Sequence, residues 1–313
     1  MSPQKLIYLY ARHWDDEDLC RLEMRSFFGY DSSTNVLFSS IQVEPSRSPF
    51  MKERLDVLFE AQSWEALIQR AASLEMGSET FKVINLNTRT LNSSSKIEIA
   101  DRRKLEREIG LQMNGEPDLD HPDVVFGFVV IDGYWYFGKY VEGDSVWRRH
   151  QNKPHSYSTA LSTRVARTVA NIAAPNPEGV KVIDPCCGIG NVLVEALSMG
   201  FDIVGSDINP LVTSHTRDNI AYFGYTCEVK PRPIANITET YDVAIIDMPY
   251  NIFTKASPED QLDILVQARR IAKKVVVVTI DTIDEMIENA NFNIVDRCEA
   301  KKSSFVRQVL VCE

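Results

Sequence analysis

The sequence predicts an α/β fold whose carboxy-terminal half is an open, mostly parallel sheet, and three observations carry that expectation. Short β-branched runs alternate there with helical patterns, as they do when helices cover both faces of a parallel sheet. Three of the four runs, at 181–184, 203–207 and 243–247, end on an aspartate: Asp184, Asp207 and Asp247. The first run leads directly into a turn with two glycines, at the end of the sheet where ligands of such folds bind.

In chain order, residues 6–10 and 36–43 are strand-like and residues 55–72 read as a helix. The polar stretch 85–96, with Ser93-Ser94-Ser95, reads as a loop or junction. Residues 124–130 and 134–140 flank Asp132-Gly133, a dipeptide suited to the positive φ angles of a two-residue hairpin turn. Leu161, Val165, Val169 and Ile172 share one helical face, with Ser156 or Ser158 as the cap. The strands at 181–184, 203–207, 243–247 and 275–279 follow. Between them, a helix at 192–199 closes on Gly200, and Ser257-Pro258 opens another that carries Leu262, Leu265, Ala268 and Ile271. Too few residues separate the last two runs, 292–295 and 305–311, for a helical crossover, so they should pair antiparallel.

The chain has 313 residues, a net charge of −10, 44% hydrophobic and 25% charged residues, ordinary for a soluble globular protein of two or three domains. No apolar run approaches the roughly 18 residues of a membrane span, and the amino terminus has no signal-peptide pattern, so a cytoplasmic protein is expected. The six cysteines, Cys20, Cys186, Cys187, Cys227, Cys298 and Cys312, lack C-x-x-C spacing, so neither a metal site nor a disulfide framework is expected. The acidic balance argues at first against nucleic acid as a partner.

The most informative stretch is Asp184-Pro185-Cys186-Cys187-Gly188-Ile189-Gly190-Asn191, whose glycines let the backbone pass close to a ligand. Leu193 stands where a dinucleotide fingerprint needs its third glycine, and no G-K-[ST] follows, which disfavours nicotinamide and ATP. Asp207, 17 residues beyond Gly190, can accept both hydroxyls of a ribose. Turn and carboxylate together point to a nucleoside-containing cofactor. Asp247-Met248-Pro249-Tyr250 is close to the D-P-P-Y pattern of enzymes that methylate exocyclic amines.

On these residues, 150–313 resembles the class I S-adenosylmethionine-dependent methyltransferases, a Rossmann-like α/β fold with an antiparallel last strand. The two motifs together resemble the THUMP-associated tRNA guanine-N2 methyltransferases, which modify position 10 of tRNA. Residues 152–161, Asn-Lys-Pro-His-Ser-Tyr-Ser-Thr-Ala-Leu, are similar to the lead-in of that family. Residues 102–110, which open Arg-Arg-Lys, with 122–124 and the Asp132-Gly133 hairpin are similar to a divergent THUMP module, although a plain α+β partner domain also fits them. The resemblance implies an amino-terminal ferredoxin-like α+β domain at 1–75, a THUMP-like RNA-binding domain at 76–145, and the methyltransferase domain with its lead-in helix at 146–313. It implies S-adenosylmethionine as cofactor, held by Asp184, Cys186, Gly188, Gly190, Asn191, Asp207 and Ile208, with His155 and Tyr157 at the methionine end. It further implies tRNA as substrate and, as for some relatives, a small activating protein as partner.

The residue types suit this chemistry. An exocyclic amine is a poor nucleophile because its lone pair is delocalised into the ring, and acceptors on its N–H bonds draw charge toward nitrogen. Asp247 offers one acceptor and the Met248 carbonyl another, and Tyr250 can stack on an extruded base, with Pro249 counted among the catalytic loop residues. Met248 replaces the family's usual proline, so its carbonyl should be less rigidly aimed. No aspartate stands at 226–236 to meet the adenine, which leaves backbone groups near Ile234 and Ala235. Asn191 is expected to cap the helix after the turn. Cys186 and Cys187, under the cofactor turn, read as packing residues and not as nucleophiles. Trp14, Trp135 and Trp147 are expected in the core or at a hinge.

Adenine-N6 methylation, protein glutamine-N5 methylation and a cofactor-binding subunit are the alternatives; Asp247 in place of asparagine counts against the glutamine reading. Residues 146–170 hold Arg148, Arg149, Lys153, Arg164 and Arg167 with no acid, and residues 79–110, with Arg102 and Arg103, are locally basic. Both read as a basic track for tRNA or as solvated helix faces.

Overall fold

In the computed structural model, residues 4–86, 99–251, 254–302 and 305–313 are described. The amino-terminal part runs β1 (Leu6–Tyr10), α1 (Glu17–Phe28), β2 (Val36–Ser39), β3 (Met51–Ala61), α2 (Trp64–Ala72), β4 (Glu75–Asn85), α3 (Ile99–Gln112), β5 (Asn114–Pro117), β6 (Val124–Ile131) and β7 (Tyr134–Glu142). It continues through α4 (Thr163–Ala173), β8 (Lys181–Asp184), α5 (Asn191–Ser198), β9 (Asp202–Asp207), α6 (Pro210–Tyr222), β10 (Val229–Pro231) and β11 (Tyr241–Asp247). The last elements are β12 (Tyr250–Asn251), β13 (Thr254–Lys255), α7 (Pro258–Ile271), β14 (Ala272–Thr279), α8 (Asp284–Asn289), β15 (Ile294–Lys302) and β16 (Phe305–Cys312). The chain divides into two units, one of residues 1–11, 32–46 and 50–144, the other of 12–31, 47–49 and 145–313.

The first unit is a seven-stranded sheet in the order β2-β1-β3-β7-β6-β4-β5. Helices α2 and α3 cover a core of Phe59, Phe81, Phe126, Phe128 and Phe137, while Ile7, Leu9, Leu55 and Val129 gather in a second cluster. The hairpin forms where Asp132-Gly133 predicts it, with φ of +50° and +82°. The helix expected over 55–72 is two elements instead. Residues up to Asp56 pair with β1 and residues up to Ala61 pair with β7, so their apolar spacing serves a strand, and α2 begins only where Ser63 accepts a hydrogen bond from the Ala66 N–H. Strands from 6 to 142 share one sheet, so no break at 75/76 separates two sheets. The expected loop at 85–96 falls mostly outside the described residues.

The second unit holds the sheet order β10-β9-β8-β11-β14-β16-β15, parallel from β10 to β14, with β16 antiparallel to both neighbours. This is the open α/β arrangement with an antiparallel final strand that the sequence predicts. Ile183, Ile246, Val275, Val277 and Leu310 fill part of its core. The lead-in helix α4 starts later than expected: Ser162, not Ser156 or Ser158, accepts from the Val165 N–H. Ser257 and Asp260 form a reciprocal capping box at α7.

Helix α1 belongs to this second unit. Arg25 donates to Asp296 at 2.8 Å, and Asn171 on α4 and Ser48 both donate to the buried Glu23 carboxylate. The amino-terminal segment is thus interrupted, with residues 12–31 belonging to the second unit. Trp14, expected in the core or at a hinge, is 73% exposed, whereas Trp147 is buried and Trp135 packs on Trp64. Among the described residues no helix is long and apolar enough to cross a membrane.

A candidate cofactor and transfer site at the strand ends

Strand β8 lies between β9 and β11, so Asp184, Asp207 and Asp247 emerge side by side at the carboxyl edge of the sheet. Asp184, Cys186, Gly188, Asn191 and Asp247 line a narrow cleft whose opposite wall is Ala160 and Leu161 of the lead-in segment. Gly190 has φ of +82°, and a Cβ there would sit 2.6 Å from the Thr216 methyl, so only glycine fits. Gly188, at φ +51°, faces open space where a side chain would otherwise project. Its N–H donates to Asp207 Oδ2 at 3.1 Å, and the Asn209 N–H donates to Oδ1 at 2.9 Å. Asp207 is thereby oriented while each oxygen keeps a further lone pair for a ligand hydroxyl.

Electrostatically the cleft is acidic. Burial holds the Asp184 carboxyl well above the ordinary carboxylate range; the Cys186 N–H opposes that rise, and the charges of Asp247 and Asp207 add to it. Burial, and then the same carboxylates, push the Cys186 thiol far up, and the Cys187 thiol rises for the same reasons. Neither cysteine is set up as a thiolate nucleophile. A cationic, nucleoside-bearing ligand fits this donor set: the open glycine turn admits it, Asp207 has lone pairs for a ribose, and the charges of Asp207 and Asp247 favour a cation.

Met248 is held differently from the expected loose loop. Its side chain is buried in the sheet core and its N–H donates to the Val278 carbonyl at 2.9 Å, a bond that a proline could not make. Pro249 follows, partly buried, and Tyr250 pairs through its backbone with Lys255; the Tyr250 side chain lies outside what the structure describes.

Several expected residues stand elsewhere. Asn191 is the first residue of α5, whose N-cap is Gly190, and it does not cap the helix; its Nδ2 instead donates to the Leu161 carbonyl at 2.5 Å. The rings of His155 and Tyr157 turn to α6 and not into the narrow cleft: His155 stacks on His215 at 3.9 Å and bonds Asp218, and the Tyr157 hydroxyl bonds His215 Nδ1 at 2.8 Å. Ile208 is 74% exposed beside Asp207. The carbonyls of Ile234 and Ala235, candidates for the adenine, accept hydrogen bonds from Arg270. Among the basic residues, Arg167 is buried and paired with Glu195 at 2.8 Å, and Arg164 pairs with Asp16, so neither is an open cation. Arg148 and Arg149 are exposed, and Lys153 lines a wider cleft of about 550 Å³ that shares Ala160, Leu161, Ile189 and Asn191 with the narrow one. Arg102 and Arg103 lie on α3 of the other unit.

Two residues of the site gave no motif signal. Thr216 Oγ1 donates to the Gly188 carbonyl, and Asn219 Nδ2 donates to the Ile189 carbonyl at 2.9 Å. Their spacing, three apart on α6, puts both on one helix face, and that spacing is the only trace they leave in the sequence. Among the described residues no group of three or more histidine, cysteine or acidic side chains could hold a metal ion.

Comparison with known proteins matches residues 148–312 to the family described as UPF0020: RMKL-like, methyltransferase domain. The tRNA (guanine(10)-N2)-dimethyltransferase of Methanothermobacter thermautotrophicus is 29% identical over 170 residues, 51% of this chain and 50% of the relative. The protein of the same name from Methanocaldococcus jannaschii is 26% identical over 178 residues, again 51% and 50%. The chain therefore matches about half the length of these curated relatives. A crystal structure of TrmN from Thermus thermophilus aligns over 99% of each chain with 15% identity and a TM-score of 0.49.

Proposed function

Because residues 148–312 belong to the RMKL-like methyltransferase domain family, we propose that this chain transfers a methyl group from S-adenosylmethionine to the exocyclic N2 amine of a guanosine in tRNA. The observation that carries the reading is one acidic cleft lined together by the glycine turn, Asp184 and Asp247, with the turn tied to Asp207 at the neighbouring strand end. The names of the matched relatives supply the substrate class.

The cofactor, when bound, supplies an electrophilic methyl on a sulfonium. Asp207 would hold the ribose hydroxyls, and the Asp247 carboxylate would favour the cation over its neutral product. Asp247 accepts one N–H of the target amine, the Met248 carbonyl accepts the other, and the proton released on transfer departs through the Asp247 carboxylate. The Met248 N–H bond to β14 holds the backbone that carries this carbonyl without a proline. A guanine stacked in a duplex cannot reach the cleft, so the target base is unpaired or extruded. The first unit, with Arg102 and Arg103, holds the tRNA, and Arg148, Arg149 and Lys153 meet its phosphates near the site. The site of action is the cytoplasm.

Incubating the pure chain with labelled S-adenosylmethionine and unmodified tRNA, then digesting to nucleosides, tests the reading. N2-methylguanosine or its dimethyl form is expected. N6-methyladenosine, or label on protein alone, overturns it. Turnover without added protein leaves no role for the small activator that the resemblance implies.

A further inference from the structure

We infer that Asn219 is a positioning residue of the cofactor site, setting the gap between the two walls of the narrow cleft. The inference rests on the reading of that cleft as the S-adenosylmethionine site. Asn219 lies on α6, touches neither Asp184 nor Asp247 in any hydrogen bond, and is fully buried. Its one carboxamide makes three bonds to backbone. Nδ2 donates to the Ile189 carbonyl at 2.9 Å, in the glycine turn, and to the His155 carbonyl at 3.0 Å, in the lead-in segment. Oδ1 accepts from the His155 N–H at 2.9 Å.

Turn and lead-in are 34 residues apart in the chain and are the two sides of the cleft. The lead-in leaves the Asn219 anchor at 155, folds through a turn in which the Ala160 N–H donates to the Tyr157 carbonyl, and presents Ala160 and Leu161 to the cleft. Asn191 then fixes its far end at the Leu161 carbonyl. Residues 156–160 are thus a short strap tied down at both ends by carboxamides. Outside it, the His155–His215 stack and the Tyr157–His215 bond hold the strap to the same helix, and Thr216 on that helix holds the Gly188 carbonyl. Helix α6 is therefore the common support of both walls, and Asn219 is the residue that bonds to both at once. Removing its amide leaves the buried Ile189 carbonyl and the partly buried His155 carbonyl without these donors and frees the strap to move against the turn.

Three variants test this: Asn219→Ala, Asn219→Asp, which keeps the acceptor for the His155 N–H but loses both donated bonds, and Ile220→Ala, which removes buried apolar bulk from the next position of the same helix. Binding of S-adenosylhomocysteine is measured by calorimetry well below each variant's Tm, with kcat and KM for methyl transfer alongside. Both Asn219 variants should bind S-adenosylhomocysteine on the order of tenfold or more weakly, with KM for the cofactor rising and kcat at saturation changing far less. Ile220→Ala should lower Tm and keep wild-type affinity. Unchanged affinity in the Asn219 variants, or an equal loss in Ile220→Ala, overturns the inference by reducing Asn219 to a stability residue. A wild-type chain that fails to bind S-adenosylhomocysteine sinks the cofactor reading and this inference with it, and that result is visible before any variant is made.

Discussion

The Gly188 N–H donates to Asp207 Oδ2 at 3.1 Å, so the glycine turn after β8 and the acid at the end of β9 are tied together by the protein alone. On the proposed function, a ligand ribose would meet a carboxylate already held in place, which spares it the entropy of ordering that side chain. Asp207→Ala removes both the proposed ribose acceptor and the brace on the turn. Cofactor affinity should fall by roughly 100-fold, as expected for two hydrogen bonds to a charged group; titration with S-adenosylhomocysteine checks it.

Asp247 emerges from β11 next to Met248, whose backbone is pinned to β14. Asp247→Ala should lower kcat for methyl transfer by roughly 10²–10³, the usual loss when a group that stabilises developing charge is removed, while cofactor affinity changes little. Parallel losses of affinity and rate would make Asp247 a structural residue of the cleft instead.

Cys186 lies in the cleft with its thiol pushed far above the ordinary range by burial and neighbouring carboxylates. Cys186→Ala should retain transfer within about tenfold, because direct attack by the amine needs no thiolate. Iodoacetamide at pH 8 should label it slowly. Complete loss of turnover in this variant would point to covalent catalysis.

Glu23 gives a stability signature with a definite sign. Burial raises its pKa from 4.5 to about 7, against donated bonds from Ser48 and Asn171 and the charges of Arg47 and Arg167. Between these values the folded protein keeps a proton that the unfolded chain has released, so stability is highest below about pH 4.5 from this group and falls as pH rises to about 7. The full effect is about 3 kcal/mol, and Glu23→Gln should flatten the corresponding part of the profile. Chemical denaturation at intervals from pH 5 to pH 8 measures both curves; identical slopes in the two proteins would refute the assignment.

Arg148 and Arg149 are exposed, whereas Arg164 and Arg167 pair with Asp16 and Glu195, so the proposed contact with tRNA phosphates is tested at the first two. Arg148→Ala with Arg149→Ala should weaken tRNA binding and reduce the slope of log affinity against log salt by about 1 to 2, leaving cofactor binding alone. An unchanged slope would remove these residues from the RNA path.

Local sequence settled much of this protein. Regular runs ending in Asp184, Asp207 and Asp247, a two-glycine turn and an Asp-Gly hairpin are short-range signals, because a turn or a buried parallel strand depends mostly on residues within a few positions. They were enough to place the sheet and the acidic corner of the site. Tertiary structure decided what depends on distant partners. Residues 55–61 are a strand because β7 pairs along them and β1 pairs with Leu55 and Asp56 on the other edge, although their apolar spacing also suits a helix. Helix α1 joins the second unit because Asn171 and Asp296, remote in sequence, provide its partners. His155 and Tyr157 face α6, and Asn219 spans two segments 34 residues apart, because side-chain direction and buried hydrogen bonding are fixed only once the helix has docked. The acids of the cleft could be named from the sequence; the strap that closes its other side, and the amide that holds the strap, could not.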